Sequence, residues 1–240
     1  MARVRTKRAP EAARRRVSAA APAASKRGRR SAPAERNEAS GARAKRGAAR
    51  RDAILAAALE EFSARGFAAA RLDDIAHRAG VAKGTIYLYF RDKETLFQEL
   101  VRSALGPVVG SLEHVTHADV PTRAIADQFI ELFVREICDT RRKDVIRLII
   151  SEGPRFPKLA EFYYREVLTR ALEAIRALLR RAVERGELAD DAILRFPQLL
   201  VAPGIIGILW NSLFDRFEPL DVRALLRVHF DLLFGQGRAA

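Results

Sequence analysis

The stretch from Leu72 to Phe90, LDDIAHRAGVAKGTIYLYF, constrains this chain more than any other. It holds two apolar patterns of about two turns each, split by Gly80. Neither is long enough to persist alone, because helix nucleation is unfavourable and so few residues of propagation do not offset it. Each therefore needs the other, and flanking helices, to bury its apolar face. The spacing fits one arrangement. Ala76 is small where two helices would cross, and Gly80 suits a turn that needs positive φ. Ile75, Ala79, Val81, Ile86 and Tyr89 fall where side chains would hold the pair together. Lys83, Gly84, Thr85, Tyr87, Leu88 and Arg91 are left facing outward. The unit predicted is a helix-turn-helix, with its second helix running from about Ala82 to Phe90. In such units the first turn of the second helix is the part that enters a DNA major groove.

Helical periodicity continues on both sides. ARRDAILAAALEEFSARGF puts Ile54, Leu55, Ala58, Leu59 and Phe62 on one stripe. Gly66 then reads as a stop, with Phe67 folding back onto that stripe. Asp92 is predicted to N-cap a longer helix, KETLFQELVRSALG, that closes near Gly106 and Pro107. Further on, Ile125, Phe129, Leu132, Phe133 and Ile137 recur at helical spacing, and the pattern ending at Gly186 is the longest without interruption. The nearly all-apolar segment containing Pro197, Pro203 and Gly204 is predicted to kink or to start late. DVRALLRVHFDLLFG closes the chain. Nothing alternates with period two, so the predicted class is all-α.

The net charge of +13 is unevenly placed. Residues 1–51 carry 17 of the 43 Lys/Arg and three of the 30 Asp/Glu, which leaves the remainder close to neutral. Residues 1–46 have Val4 and Val17 as their only branched aliphatics, too little apolar surface to offset the entropy of ordering. They are expected to form a disordered basic tail, either solubilising or lying on nucleic acid as a polycationic arm. An Arg- and Ala-rich start also resembles an organellar transit peptide, but this one keeps three acids and is not amphipathic. No apolar run approaches ~20 residues, so no membrane partner is expected.

The single cysteine, Cys138, excludes an intramolecular disulfide and a Cys-rich zinc site; it reads as a small core hydrophobe rather than a redox thiol. His114 and His117, with Glu113 and Asp119, invite a metal reading but lack a further Cys or His, so a solvated connection is expected and no metal or cofactor. No nucleophile elbow, Walker loop, HExxH or dinucleotide fingerprint is present, and no enzyme is expected.

The run FAAARLDDIAHRAGVAKGTIYLYFRDKETLF strongly resembles the DNA-binding region of the TetR/AcrR family of bacterial transcriptional regulators, over about residues 48–100. Beyond that the likeness is architectural. The resemblance implies a helical second domain that binds a small effector and dimerises through its last two long helices. It also implies a homodimer on a pseudo-palindromic operator in double-stranded DNA, cytoplasmic and nucleoid-associated, and a repressor rather than an activator. By position it implies DNA contacts from Lys83, Gly84, Thr85, Tyr87 and Lys93, with Tyr89 as a further candidate. Leu88 could meet a thymine methyl, and the free N–H groups after Asp92 could meet a phosphate.

Two departures from the family pattern stand out. Ala70 and Arg71 lie where Thr or Ser is usual, and Ala82 where Ser is usual. Arg71 is a candidate replacement contact. For a small apolar or amphipathic effector the candidates are Phe129, Phe133, Phe156, Tyr163 and Trp210. Gly204 and Gly207 suit either a close contact across a dimer or a kinked internal helix. The expected organisation is a tail over residues 1–46, a three-helix DNA-binding domain over 47–95 and a helical effector-binding and dimerisation domain over 96–240. The rival reading is an architectural, sequence-tolerant DNA binder that relies on its tail.

Overall fold

In the computed structural model, residues 33–118, 120–188 and 192–234 are described, with side chains from residue 41 and without that of residue 192. Every regular element among them is helical. Helix α1 is Pro33–Ala69, α2 Leu72–Arg78, α3 Lys83–Tyr89 and α4 Lys93–His117. Helix α5, Thr122–Phe133, runs on into a π-helical turn, Val134–Cys138. Helix α6 is Arg142–Glu152; α7, Pro157–Tyr163, continues through a second π-helical turn, Tyr164–Leu168, into α8, Thr169–Glu184. A short α9, Ala192–Arg195, and a 3₁₀ turn, Pro197–Leu200, precede α10, Ala202–Phe214, and α11, Val222–Phe234.

The chain divides by contact into Met1–Arg43 and Ala44–Ala240. Most of the expected tail, residues 1–32, lies outside the described residues, but its last part is not loop: α1 already begins at Pro33. Ala- and Arg-rich sequence has high helix propensity, which composition-based reasoning about the lack of a core does not register.

Within Ala44–Ala240 one apolar cluster extends from Ile54 on α1 to Phe230 on α11. The predicted stripe of α1 is buried, and Gly66 breaks the helix at φ 73°, ψ 167°. Phe67 does fold back, with its ring 5.5 Å from Phe62 and 5.6 Å from Phe97. Asp92 caps α4 as expected, its Oδ1 accepting from the Thr95 amide at 2.7 Å.

Helix α4 does not close at Pro107; it runs through to His117. Proline costs an interior helix about 3 kcal/mol. Against that, Leu105 before it and Val109 and Leu112 after it are buried in the same core. Arg142 Nε also donates to the Ala104 carbonyl at 2.8 Å, close to the carbonyl that Pro107 leaves without an N–H. His114 and His117 therefore sit on the last turn of a helix rather than in a connection. Among the described residues no group of three His, Cys, Asp or Glu side chains converges as a metal ion requires, and no helix is long and apolar enough to cross a membrane.

Gly204 and Gly207 face neighbours in their own chain. A Cβ on Gly204 would come within 2.6 Å of the Phe133 ring, and one on Gly207 within 2.6 Å of Val222 Cγ2. The small residues let α10 lie directly on α5 and α11, so the dimer-contact expectation for these two positions gives way to the intrachain one.

Candidate nucleic-acid interface and effector cavity

The DNA-binding head rests on a charge that hydrophobic patterning cannot show. Glu61 falls on the inward stripe of α1 and is 1% exposed. Arg65 Nε lies 3.1 Å from Glu61 Oε1, and Arg78 Nη2 lies 3.2 Å from Oε2. A carboxylate taken out of water needs such partners, and Arg78 thereby fixes α2 against α1. An acidic residue seven positions after Ile54, in register with the core, was the available signal.

With α2 fixed, Gly80 at φ 66° turns the chain into α3. Ile75, Ala76 and Ile86 are buried between the helices. Lys83, Gly84, Tyr87 and Leu88 are exposed, Leu88 at 83% and Tyr87 at 48%, and Thr85 is half-buried. A Cβ on Gly84 would have nothing within 4 Å, so that position is open to an approaching surface. Tyr89 packs back towards α1, its hydroxyl donating to the Gly47 carbonyl at 3.4 Å. Arg71 is exposed at the N-cap of α2, and Ala82 at that of α3; neither supplies a side-chain cap. A hydroxyl at such a position is worth typically ~1 kcal/mol, which the head forgoes at both.

Two cations behave differently from each other. Lys83 Nζ is held by Asp73 Oδ2 at 2.8 Å on an exposed surface, and that hydrogen bond raises its pKa above the ordinary lysine value. It stays charged and points outward. Lys93 instead donates to the Ala68 and Ala70 carbonyls, at 2.8 and 3.0 Å, with its ammonium 4.7 Å from the centre of the Phe67 ring. Burial lowers its pKa. The structure thus turns Lys93 to the end of α1, where free carbonyls attract a cation, rather than outward to a phosphate. Of the N–H groups expected free at the start of α4, Asp92 occupies that of Thr95 and places a carboxylate beside the others.

The second domain holds a partly open apolar cavity of about 140 Å³. Phe129 and Phe133 from α5 line it, with Tyr163 at the end of α7. Ile137 comes from the first π-helical turn, and Val167 and Leu168 from the second. The other two expected residues are elsewhere. Phe156 stacks edge-on against Phe67, centroids 4.9 Å apart, joining α7 to the head. Trp210 packs against Phe214 and donates from Nε1 to the Glu218 carbonyl at 2.7 Å. Helical periodicity marks all five as apolar but does not say which face of which helix turns to the cavity.

Cys138 is half-buried outside this cavity, and burial pushes its thiol up to about 11. Lys143 donates to its backbone carbonyl at 2.8 Å. Below that pKa the protonated, unreactive form predominates. Alkylation by iodoacetamide at pH 8 is expected to run on the order of 100-fold slower than for an unperturbed cysteine, and to accelerate as the pH rises towards 11.

A bundled head with one exposed short helix, followed by a helical domain that holds a partly open apolar cavity, defines a helix-turn-helix protein with a separate apolar pocket. The family profile described as "Bacterial regulatory proteins, tetR family" matches residues 54–100, and "Tetracyclin repressor-like, C-terminal domain" matches residues 121–231. The HTH-type transcriptional repressor BepR of Brucella suis is 32% identical over 147 residues, covering 59% of this chain and 69% of BepR. The regulator AcrR of Shigella flexneri is 27% identical over 169 residues, covering 68% of this chain and 78% of AcrR. Among solved structures, SmeT in complex with triclosan superposes with a TM-score of 0.67 at 22% identity, over 79% of this chain and 93% of SmeT. The chain belongs to the TetR family of bacterial regulatory proteins and is a DNA-binding transcriptional regulator. Set against that family, the architectural, tail-dependent reading is not favoured.

Proposed function

We propose that the chain acts as a homodimeric repressor, cytoplasmic and nucleoid-associated, that a small apolar effector releases from a pseudo-palindromic operator. The observation that carries this reading is the exposed face of α3, where Lys83, Gly84, Tyr87 and Leu88 stand clear of the core. Each protomer sets that face in a major groove, and the two-fold axis of the dimer sets the half-site spacing. Thr85, Tyr87 and Leu88 read base edges, while Lys83 and Arg71 position the head on phosphates. The outer faces of α10 and α11 supply the dimer contact. Ile206, Leu213, Val228 and Leu232 are 55, 65, 58 and 79% exposed there, large apolar side chains that a second protomer would cover. The repressor sense draws on BepR, whose name records it. Release follows if the effector prefers the protomer arrangement that misfits the operator, since only differential affinity shifts such an equilibrium.

Fluorescence anisotropy with the DNA flanking the protein's own gene, and with a shuffled duplex, tests it over a salt series. The full chain should prefer the native DNA by ~10³ or more. Lys83→Ala should weaken both duplexes by similar factors and lower the salt slope by about 1 per protomer. Equal affinity of the unaltered chain for both duplexes would overturn the reading.

A further inference from the structure

The cavity described above has an unusual chemical balance. Seventeen residues line it, and Tyr163 is the only one with a polar side chain. Among the described residues no charged group reaches the lining. A ligand carrying a full charge would lose its hydration there and gain no counter-charge. The lining therefore selects against acids and ammonium compounds.

The one polar group is unspent. Among the described residues the half-buried Tyr163 makes no side-chain hydrogen bond through Oη, which leaves the hydroxyl open to a partner that enters the cavity. Burial pushes its pKa up to about 12, so the phenol stays neutral and keeps its proton to donate. Nor is the surrounding backbone ordinary. The chain enters a π-helical turn at the residue after Tyr163, and the other π-helical turn contributes Ile137 to the lining. Single π turns inside α-helices are rare and occur frequently at functional sites, because the extra residue re-aims the side chains around it. Size adds a further limit. At about 140 Å³ the space is close to that of an engineered apolar cavity, about 150 Å³, that admits benzene.

We infer that the effector is an uncharged, single-ring-sized apolar molecule bearing one hydrogen-bonding group, which pairs with Tyr163 Oη. The assignment rests on the proposed reading of this cavity as the effector chamber. The apolar lining supplies affinity through desolvation, and the lone hydroxyl supplies orientation and discrimination. A molecule with no polar group leaves Tyr163 unpaired, and one with several leaves its own groups unpaired.

Four probes of similar size separate the possibilities: phenol, toluene, benzoate and benzylammonium, each titrated at pH 7 into full-length protein by calorimetry. Release of the native duplex is followed by anisotropy in parallel. Phenol and toluene should bind, and the two charged probes should not bind at the same concentrations. Tyr163→Phe should leave toluene affinity nearly unchanged and lower the phenol-to-toluene affinity ratio by about fivefold to tenfold. Comparable binding of benzoate or benzylammonium would overturn the inference. So would binding of none of the four, or an unchanged ratio in the variant. If phenol binds with the expected ratio but the duplex stays bound, the ligand class stands and the effector-release reading fails. If a charged probe releases the duplex, the release reading stands and the ligand class fails.

Discussion

Replacing Phe97 by alanine is expected to lower the stability of the protein by about 3–5 kcal/mol and its melting temperature by about 10 °C. Phe97 is fully buried, with ring centroids 5.9 Å from Phe62 and 5.6 Å from Phe67. Removing it takes away the transfer free energy of a whole ring and leaves a void that rigid neighbours cannot close. The loss is placed where it matters for DNA. Phe67 and Phe97 are the points at which the end of α1 meets α4, and Lys93 is seated over the Phe67 ring. Calorimetric or denaturant unfolding gives the stability change. Operator affinity should fall with it, in parallel for native and shuffled duplexes, because the head loses its shape rather than a contact. A stability change below about 1 kcal/mol would mean that the ring cluster does not organise the head.

The second large effect is expected at Leu88. Leu88→Ala removes no core contact, since 83% of the side chain is exposed. Stability should stay within about 0.5 kcal/mol of the original. Operator binding should nevertheless weaken by about tenfold per protomer, thus about a hundredfold for a dimer, through a lost apolar contact to a base edge. Affinity for the shuffled duplex and the salt slope should not move. This pattern is opposite to that of Lys83→Ala, where both duplexes weaken and the slope falls. Anisotropy on the two duplexes decides between them. If Leu88→Ala weakens both equally, the side chain positions the helix and does not read sequence.

Much of the head was legible because each signal there is local. Gly80 needs positive φ, Asp92 lies three residues before the amide it caps, and Ile75, Ala76 and Ile86 sit at fixed spacings. The burial of Glu61 and the seat of Lys93 were not, because their partners come from other helices: Arg78 for the first, the carbonyls of Ala68 and Ala70 for the second. The second domain was legible only as helices. Phe129 and Phe156 carry equal apolar weight in sequence, yet one lines the cavity and the other joins the head, a difference made by helix orientation. Pro107 misled for a related reason. Its local cost is fixed, whereas the burial of Val109 and Leu112 that outweighs it depends on helices far along the chain.

The seam between the two parts has a consequence for protein engineering. Glu152, at the end of α6, is buried, with Oε1 2.8 Å from where a Cβ on Gly66 would stand, and Phe156 stacks on Phe67. A residue other than glycine at 66 would meet both the backbone constraint and that carboxylate. The reading head is therefore not a detachable module. A hybrid regulator that grafts a foreign DNA-binding head onto this second domain would have to bring compatible partners for Glu152 and Phe156. Exchange of the exposed residues of α3 alone would leave that seam whole.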